Sequence, residues 1–167
     1  VTVDQQQAPH RWNFRIHVES VLSKTGCNSG ACHGALAGKN GFKLSLLGFE
    51  PQEDYEYLLR EARGRRIFPA APERSLLLLK ATGQLPHGGG SRIDADSFDY
   101  RMLVKWIRQG MPYGKPNDPK LESITLHPAE RIMKPSARQQ LVVLARMSDG
   151  SIEDITHSAV YEANDRE

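Results

Sequence analysis

The stretch GCNSGACHGALAGKNG, residues 26–41, contains both cysteines of the chain, Cys27 and Cys32, and His33 directly follows the second. Five of its sixteen residues are glycine, which favours a tightly folded loop over a regular helix. Two thiols and an imidazole in one loop predict a chemical role for this segment.

Three kinds of chemistry use two cysteines beside a histidine. A disulfide would close a very small loop, so it would remove little chain entropy, and it would leave His33 without a role. A zinc ion needs about four ligands; His17 or His87 could complete the set, but the second ligand pair of the common zinc motifs is missing. Covalent haem uses the signature C-x-x-C-H, in which both thiols form thioethers and the histidine ligates iron.

The spacing in this chain is C-x4-C-H, which departs from the common haem signature. The adjacency of Cys32 and His33 is kept. A thioether at Cys32 fixes the backbone at the porphyrin edge, and the imidazole of the next residue then lies beneath the metal. The first spacing is less strict, because the distance between the thiols matters more than the number of residues. Asn28-Ser29-Gly30 has the composition of a turn that folds the two extra residues into a bulge.

Charge and hydropathy exclude two classes of function. The 22 basic and 20 acidic residues give a net charge of +2 and are spread along the sequence, so no basic stripe predicts a nucleic-acid partner. The longest apolar run, around Leu76–Leu79, is too short to cross a bilayer. The N-terminus lacks the pattern of a signal peptide, so if the protein is exported we expect its signal to be absent from this sequence.

Hydrophobic periodicity predicts four helices in the first two thirds of the chain. They fall at about 14–22, 53–62, 72–83 and 97–110, and the last is the clearest, because Met102, Leu103, Trp106 and Ile107 share one apolar face. The alternation of apolar residues over 42–46 predicts a short strand or extended segment.

A proline-rich segment, MPYGKPNDPK at 111–120, predicts a linker and a domain boundary. The periodicity then changes to two, with apolar alternation at 141–145 and a hairpin signal at Asp149-Gly150. The predicted organisation is a lead-in over 1–11, a first domain over 12–115 and a β segment over 116–167.

Four ordered segments of the first domain resemble a known family. HVESVLSKTGCNSGACHG, GFKLSLLGFEPQEDY, RSLLLLKATGQLPHGGG and YRMLVKWIRQGMPYG are similar to the planctomycete-type cytochrome c domain, over about residues 12–115. The resemblance implies a mainly α, class I-like cytochrome c domain with one covalent haem c. It implies that Cys27 and Cys32 attach the haem and that His33 ligates its iron. It also implies electron transfer as the role, and a periplasmic or other extracytoplasmic location within a larger secreted protein.

The β segment resembles the N-terminal part of a bacterial Ig-like group 2 domain. The resemblance rests on a strand ending at Leu126-His127-Pro128, a second strand at 141–145, and the segments Ser148-Asp149-Gly150 and Asp154-Ile155-Thr156. An Ig-like sandwich needs about seven strands, and three or four are predicted. The expected fold is therefore a partial all-β Ig-like sandwich, of a kind that serves as a spacer or adhesion module.

The second axial ligand is expected in the loop before the last helix, as in c-type domains. That loop reads LPHGGG, and Leu85 stands where related sequences often have methionine. His87 is therefore the expected distal ligand, and Met111 is the alternative. Ligation by two histidines predicts a lower reduction potential than ligation by histidine and methionine.

Four further residues are candidates for contact with the haem. Arg65 and Arg66 carry planar guanidinium groups that suit the haem propionates, although a solvated basic turn would have the same sequence. Phe42 and Trp106 are candidates for lining the haem cavity, although a core aromatic would have the same pattern.

Three hypotheses follow from these observations. The first is an electron-transfer module that exchanges electrons with a redox partner protein or with a downstream domain of its own chain, and performs no substrate chemistry. The second is an extracellular binding or adhesion module in which Cys27 and Cys32 form a disulfide or a metal clip. The third is a five-coordinate haem for gas sensing or peroxidase chemistry, with His87 as a base. A visible spectrum separates the coloured haem proteins from the colourless module.

Overall fold

The computed structural model describes residues 10–164; most of the predicted lead-in, residues 1–9, lies outside them. The chain divides into two compact units, one up to Gly114 and one from Lys115 on. The helices belong to the first unit: α1 (Glu19–Lys24), α2 (Pro51–Leu59), α3 (Leu76–Ala81) and α4 (Phe98–Arg108). The strands belong to the second: β1 (Leu121–His127), β2 (Val142–Met147) and β3 (Ile152–Asp154).

Helix α4 confirms the clearest sequence prediction. The Ser97 side chain accepts a hydrogen bond from the Tyr100 main-chain N–H, which caps the first turn of the helix. The predicted apolar face is buried, and Leu103 and Trp106 are fully inaccessible to solvent. The Trp106 indole N–H donates to the main-chain oxygen of Pro112, so the polar atom of this buried ring is satisfied.

The first helical segment begins with one wide turn. Phe14–Val18 forms a π-helical turn, capped by the Asn13 side chain, and continues directly into α1. Phe14, Val18 and Leu22 are buried along one side of this segment. With the buried residues of α2, α3 and α4 they form the hydrophobic core of the first unit.

The prediction of a mainly α fold is wrong. The chain is a mixed structure, about 30% helix and 12% strand, because the segments between the helices are long and irregular. Gly26, Gly38, Asn40 and Gly41 all adopt positive φ, which a right-handed helix does not accommodate. None of the helices within residues 10–164 has the length and apolar character needed to cross a bilayer.

Residues 42–46, predicted as a short strand or an extended segment, form no strand. Phe42 forms one isolated bridge with Lys39, and the chain then turns through a 3-10 helix at Leu46–Gly48. Ser45 has extended backbone angles, in agreement with the second alternative. Leu44 is buried in the core, and its N–H donates to the main-chain oxygen of His33.

The second unit contains a three-stranded antiparallel sheet in the order β1-β2-β3. The turn between β2 and β3 contains Asp149-Gly150, as predicted, and Gly150 has a φ of 83°. Strand β2 buries Val143, Ala145 and Met147, whereas β1 is exposed along its whole length. The predicted sandwich has a second sheet that residues 115–164 do not form, although a single sheet is compatible with part of an Ig-like domain.

Candidate functional site

A cavity of about 510 Å³ opens in the first unit, a volume in the range of small-molecule and cofactor sites. The motif loop contributes Cys27 and His33 to its lining, and Phe42 follows from the next segment. Helix α3 contributes Leu77, and the loop before α4 contributes His87. Four separate segments therefore converge on one cavity, and two of the candidate metal ligands face into it.

The motif loop is a compact turn that follows α1 directly. The Cys27 N–H donates to the main-chain oxygen of Leu22, which closes the C-terminal turn of α1 around Gly26, a residue with positive φ. The His33 N–H then donates back to the main-chain oxygen of Cys27 over 2.9 Å. The four residues between the cysteines thus form a closed turn whose first residue, Asn28, is buried, and His33 lies next to Cys27.

The hydrogen bond of His33 decides which ring nitrogen is available. Its Nδ1 lies 3.0 Å from the main-chain oxygen of Phe42. A carbonyl oxygen only accepts, so Nδ1 carries the proton and Nε2 holds a free lone pair. Burial lowers the pKa of the His33 imidazole, as do the neighbouring His87 and Arg66, while the hydrogen bond to Phe42 opposes the shift. The neutral ring is the form that ligates a metal.

The Nδ1 atom of His87 is also hydrogen-bonded to a main-chain oxygen. Its Nδ1 lies 2.8 Å from the main-chain oxygen of Gly90, and the Gly90 N–H donates back to the main-chain oxygen of His87. This tight turn requires the φ of 73° that Gly90 adopts. Its Nε2 is again the atom with the free lone pair. Metal-ligating histidines commonly use their second nitrogen to donate to a backbone carbonyl.

The two imidazoles face each other across the cavity. Their ring centroids are 6.2 Å apart and their planes differ by 10°. Two metal–nitrogen bonds of about 2 Å each, added to the distance from each nitrogen to its ring centre, require a separation of this size. The separation of the ring centres therefore matches that of two imidazoles that share one metal ion.

The number of protein ligands distinguishes a haem iron from a zinc ion. Across the residues that the structure describes, no three or more His, Cys, Asp or Glu side chains form a group that could hold a metal ion. A zinc ion takes about four such ligands. A haem iron needs only two axial ligands from the protein, because the porphyrin supplies four nitrogens. The opposed pair of histidines matches the needs of haem.

Both cysteines are free, partly buried thiols. Burial raises the pKa of the Cys27 thiol above its usual value, although the Thr25 hydroxyl, 3.2 Å from its sulfur, and the charge of Arg92 oppose the shift. Arg92 also lies beside Cys32, with 3.8 Å between its Nη2 and the sulfur. The sequence offered no signal for Arg92, because a basic residue after a glycine-rich loop is common on any surface.

Arg66 supports the cavity wall. It is only 4% exposed, and its guanidinium donates to the main-chain oxygens of Gly41 and Tyr57 and to the carboxylate of Glu61. It also stacks 4.4 Å above the ring centre of Phe42, which in turn packs against His33. Its donors are therefore directed at groups of the protein itself.

Arg65, Trp106 and Met111 occupy three different environments. Arg65 is exposed and lines the cavity, in a position where its charge can meet a carboxylate of a bound molecule. Trp106 lies in the core and does not contribute to the lining. Met111 packs at the edge of the core, and its main-chain oxygen accepts a hydrogen bond from the Tyr55 hydroxyl. The structure therefore brings His87, not Met111, opposite His33.

Helix α3 supplies a wall of the cavity that the sequence analysis did not single out. Leu76, Leu77, Lys80 and Ala81 line the cavity, while Leu78 is fully buried in the core. The run of four leucines indicated this wall, because four consecutive apolar residues cover more of a helix than the single stripe that faces the core. The remaining apolar side of α3 therefore contacts something other than the core.

Comparison of the chain with protein-family models, with curated proteins and with solved structures gave no match.

Proposed function

We propose that the chain is a monohaem c-type module for electron transfer. The observation that carries the proposal is the opposed pair His33 and His87, with parallel rings 6.2 Å apart and both Nδ1 atoms bonded to main-chain oxygens. Both histidines and Cys27 line one cavity, and the Nδ1 bonds leave the Nε2 atoms as the nitrogens that could ligate a metal. A c-type haem takes two such axial ligands and attaches to the protein through neighbouring thiols.

The cysteines of the motif would attach the haem covalently. The thiol of Cys27, and that of Cys32, would each add across one vinyl double bond, so that sulfur bonds to one carbon and its proton passes to the other. This addition needs no external oxidant or reductant. The bound haem would supply one-electron chemistry, which amino-acid side chains of this cavity cannot provide.

The residues around the cavity would set the properties of the haem. Leu77 and Phe42 form apolar walls that exclude water, and exclusion of water from one side raises the cost of the charged oxidised form. Two imidazole ligands act in the opposite direction and favour the oxidised form relative to methionine ligation. Arg65, with Lys39 and Lys80 on the same lining, would compensate the negative propionates.

We further propose that this module works outside the cytoplasm as part of a larger exported protein. The resemblance of residues 12–115 to cytochrome c domains of secreted proteins supports this proposal. Electrons would pass to a redox partner protein or to another domain of the same protein. With both His33 and His87 as ligands, a bound haem iron would have no open position, which favours electron transfer over substrate chemistry.

The test is expression of the chain in a host that matures c-type cytochromes. We expect the purified protein to carry the mass of one haem that denaturant and acid do not remove, and to show the reduced α-band of a doubly linked c-type haem. Substitution of both cysteines by serine should leave haem that is extracted by acid. A wild-type protein with only the polypeptide mass would overturn the proposal and favour the colourless binding module.

A further inference from the structure

Asn28, the first residue of the bulge between the cysteines, has an environment that a surface turn does not require. Its side chain is completely buried, a buried amide is costly unless its hydrogen bonds are made inside the protein, and its Oδ1 has no partner among the described residues. Its Nδ2 donates to Glu19 Oε1 over 3.0 Å and to Ser23 Oγ over 2.7 Å. Both acceptors belong to α1, so the bulge is fastened to the helix that precedes it.

The main chain of Asn28 is fastened on its other side. Its main-chain oxygen accepts a hydrogen bond from the Leu47 N–H over 3.0 Å. A side chain at Gly34 would overlap that same oxygen, so the backbone after His33 passes directly against Asn28. The bulge is therefore held between α1 and the segment that leaves the motif loop.

Glu19 has a correspondingly unusual position. It is 7% exposed, and its Oε2 has no hydrogen-bond partner among the described residues. The segment at Gly48 packs so closely that a Cβ there would come within 2.5 Å of Glu19 Oε1. The buried carboxylate of Asp54, held by Ser45, adds a second negative charge nearby. Such a carboxyl group costs stability, and its one acceptor contact inside the described structure is with Asn28.

We propose that Asn28 and Glu19 are positioning residues for haem attachment: their hydrogen bond folds the two extra residues of C-x4-C inward beside Cys27, which lines the cavity, so that Cys32, which does not line it, can reach the same porphyrin edge. The inference rests on the proposed function. The common C-x-x-C spacing needs no such device, because it has no surplus residues. In this chain, the surplus must be held in one fold before the second sulfur can approach its vinyl carbon, since bond formation depends on a near-attack geometry.

The test exchanges the donor and the acceptor of the hydrogen bond between Asn28 and Glu19. Asn28→Asp has nearly the same shape, but it removes the Nδ2 donor from which Glu19 and Ser23 both accept. The double variant Asn28→Asp/Glu19→Gln restores a donor and an acceptor in reversed order. Each protein is matured in the same host, and the readout is the number of thioether bonds per haem-bearing chain, measured by peptide mass spectrometry and by the position of the reduced α-band.

We expect at least a fivefold fall in the doubly linked fraction of Asn28→Asp, with singly linked haem in its place, and recovery to near the wild-type fraction in the double variant. Leu58→Ala is the matched control, because it opens a cavity in the core at a fully buried residue of α2 and leaves the pair intact. It should yield less protein with an unchanged doubly linked fraction.

The outcomes separate this inference from the proposed function. A doubly linked fraction in Asn28→Asp equal to that of the wild type would overturn the positioning role alone. If Asn28→Asp does not fold, the double variant provides the test. Haem that is fully doubly linked in the double variant would support the positioning role of the Asn28–Glu19 pair, and singly linked haem would overturn it. Wild-type protein without haem would overturn the proposed function and this inference with it.

Discussion

At the scale of single residues, the site depends on what the second nitrogen of each histidine does. Both Nδ1 atoms donate to main-chain oxygens, from Phe42 and Gly90, and these bonds fix the tautomer that presents Nε2. The sequence could identify His33 from its adjacency to Cys32, and His87 from its place before the last helix. It could not indicate the carbonyl partners, because any residue type can supply a main-chain oxygen.

The first residue-scale prediction distinguishes the two candidate distal ligands. His87→Ala should convert the oxidised haem from low spin to high spin, because one axial ligand is lost, and the reduced protein should then bind carbon monoxide. His87→Met should raise the reduction potential by on the order of 100 mV, a fraction of the roughly 0.8 V that axial ligands span. Optical spectra and redox titration measure both effects.

Met111→Leu is the matched control, because it removes the thioether with little change in volume. Its spectrum and potential should equal those of the wild type. A high-spin spectrum in Met111→Leu together with an unchanged one in His87→Ala would assign the ligand to Met111.

The second residue-scale prediction concerns the pH dependence of stability. Burial and the nearby charge of Asp54 raise the pKa of Glu19 from 4.5 to about 7, although the hydrogen bond from Asn28 opposes the shift. Between these two values the folded state holds a proton that the unfolded state has released. The free energy of unfolding should therefore fall as pH rises from about 4.5 to 7, by roughly 3 kcal/mol, and level off above that.

Glu19→Gln should remove this contribution from the pH profile, because the amide does not titrate. Urea unfolding of both proteins at several pH values between 4.5 and 8 gives the comparison. Parallel profiles for wild type and variant would show that Glu19 is not the responsible group.

At the scale of secondary-structure elements, the helices follow local rules while the loops do not. Helix α4 could be predicted closely, because Ser97 caps it and one apolar face is buried. Residues 42–46, predicted as a short strand or an extended segment, form no strand. Leu44 is buried and Leu46, two positions on, is exposed, so these leucines do not share the face that a strand would give them. Periodicity reports which side chains are buried, and a loop that crosses the core can imitate a strand.

A prediction at the scale of elements concerns helix α3, because one of its leucines packs in the core and its neighbour lines the cavity. Leu78→Ala should lower the free energy of unfolding by about 2–5 kcal/mol, since the side chain is fully buried in the core. Leu77→Ala should cost less stability, because Leu77 lines the cavity and is only partly buried. It should lower the reduction potential by on the order of tens of millivolts, because water stabilises the oxidised haem.

Chemical denaturation and redox titration of both variants test this division of α3. Equal losses of stability with no change in potential for Leu77→Ala would mean that the two leucines serve the same core.

At the scale of the whole molecule, the boundary between the units has a direct consequence. The hydrophobic core cluster and every residue that lines the cavity lie before Lys115. A chain that ends at Gly114 should therefore bind haem covalently and give the same spectrum and reduction potential as the full chain. Failure of this shortened chain to fold or to take up haem would show that the β unit is needed for the site.

Individual helices and the hairpin turn could be predicted from the sequence more accurately than the overall fold class. The helix-forming patterns and the hairpin signal at Asp149-Gly150 are local, so they could be read without the structure. The proportion of helix was overestimated because the helices are shorter than predicted: of the helix predicted over 72–83, only Leu76–Ala81 is α-helical. The pairing of Asn28 with Glu19 was invisible, because it depends on how closely the loop approaches α1.

The parallel alignment of the His33 and His87 rings, whose planes differ by 10°, would affect the magnetism of the ferric protein. When two imidazole planes coincide, both donate into the same iron d orbital and leave its perpendicular counterpart lower in energy. The unpaired electron then occupies one well-separated orbital. Frozen-solution electron paramagnetic resonance should accordingly give a rhombic spectrum with three distinct g values, whereas crossed rings would produce a single large, strongly axial g value.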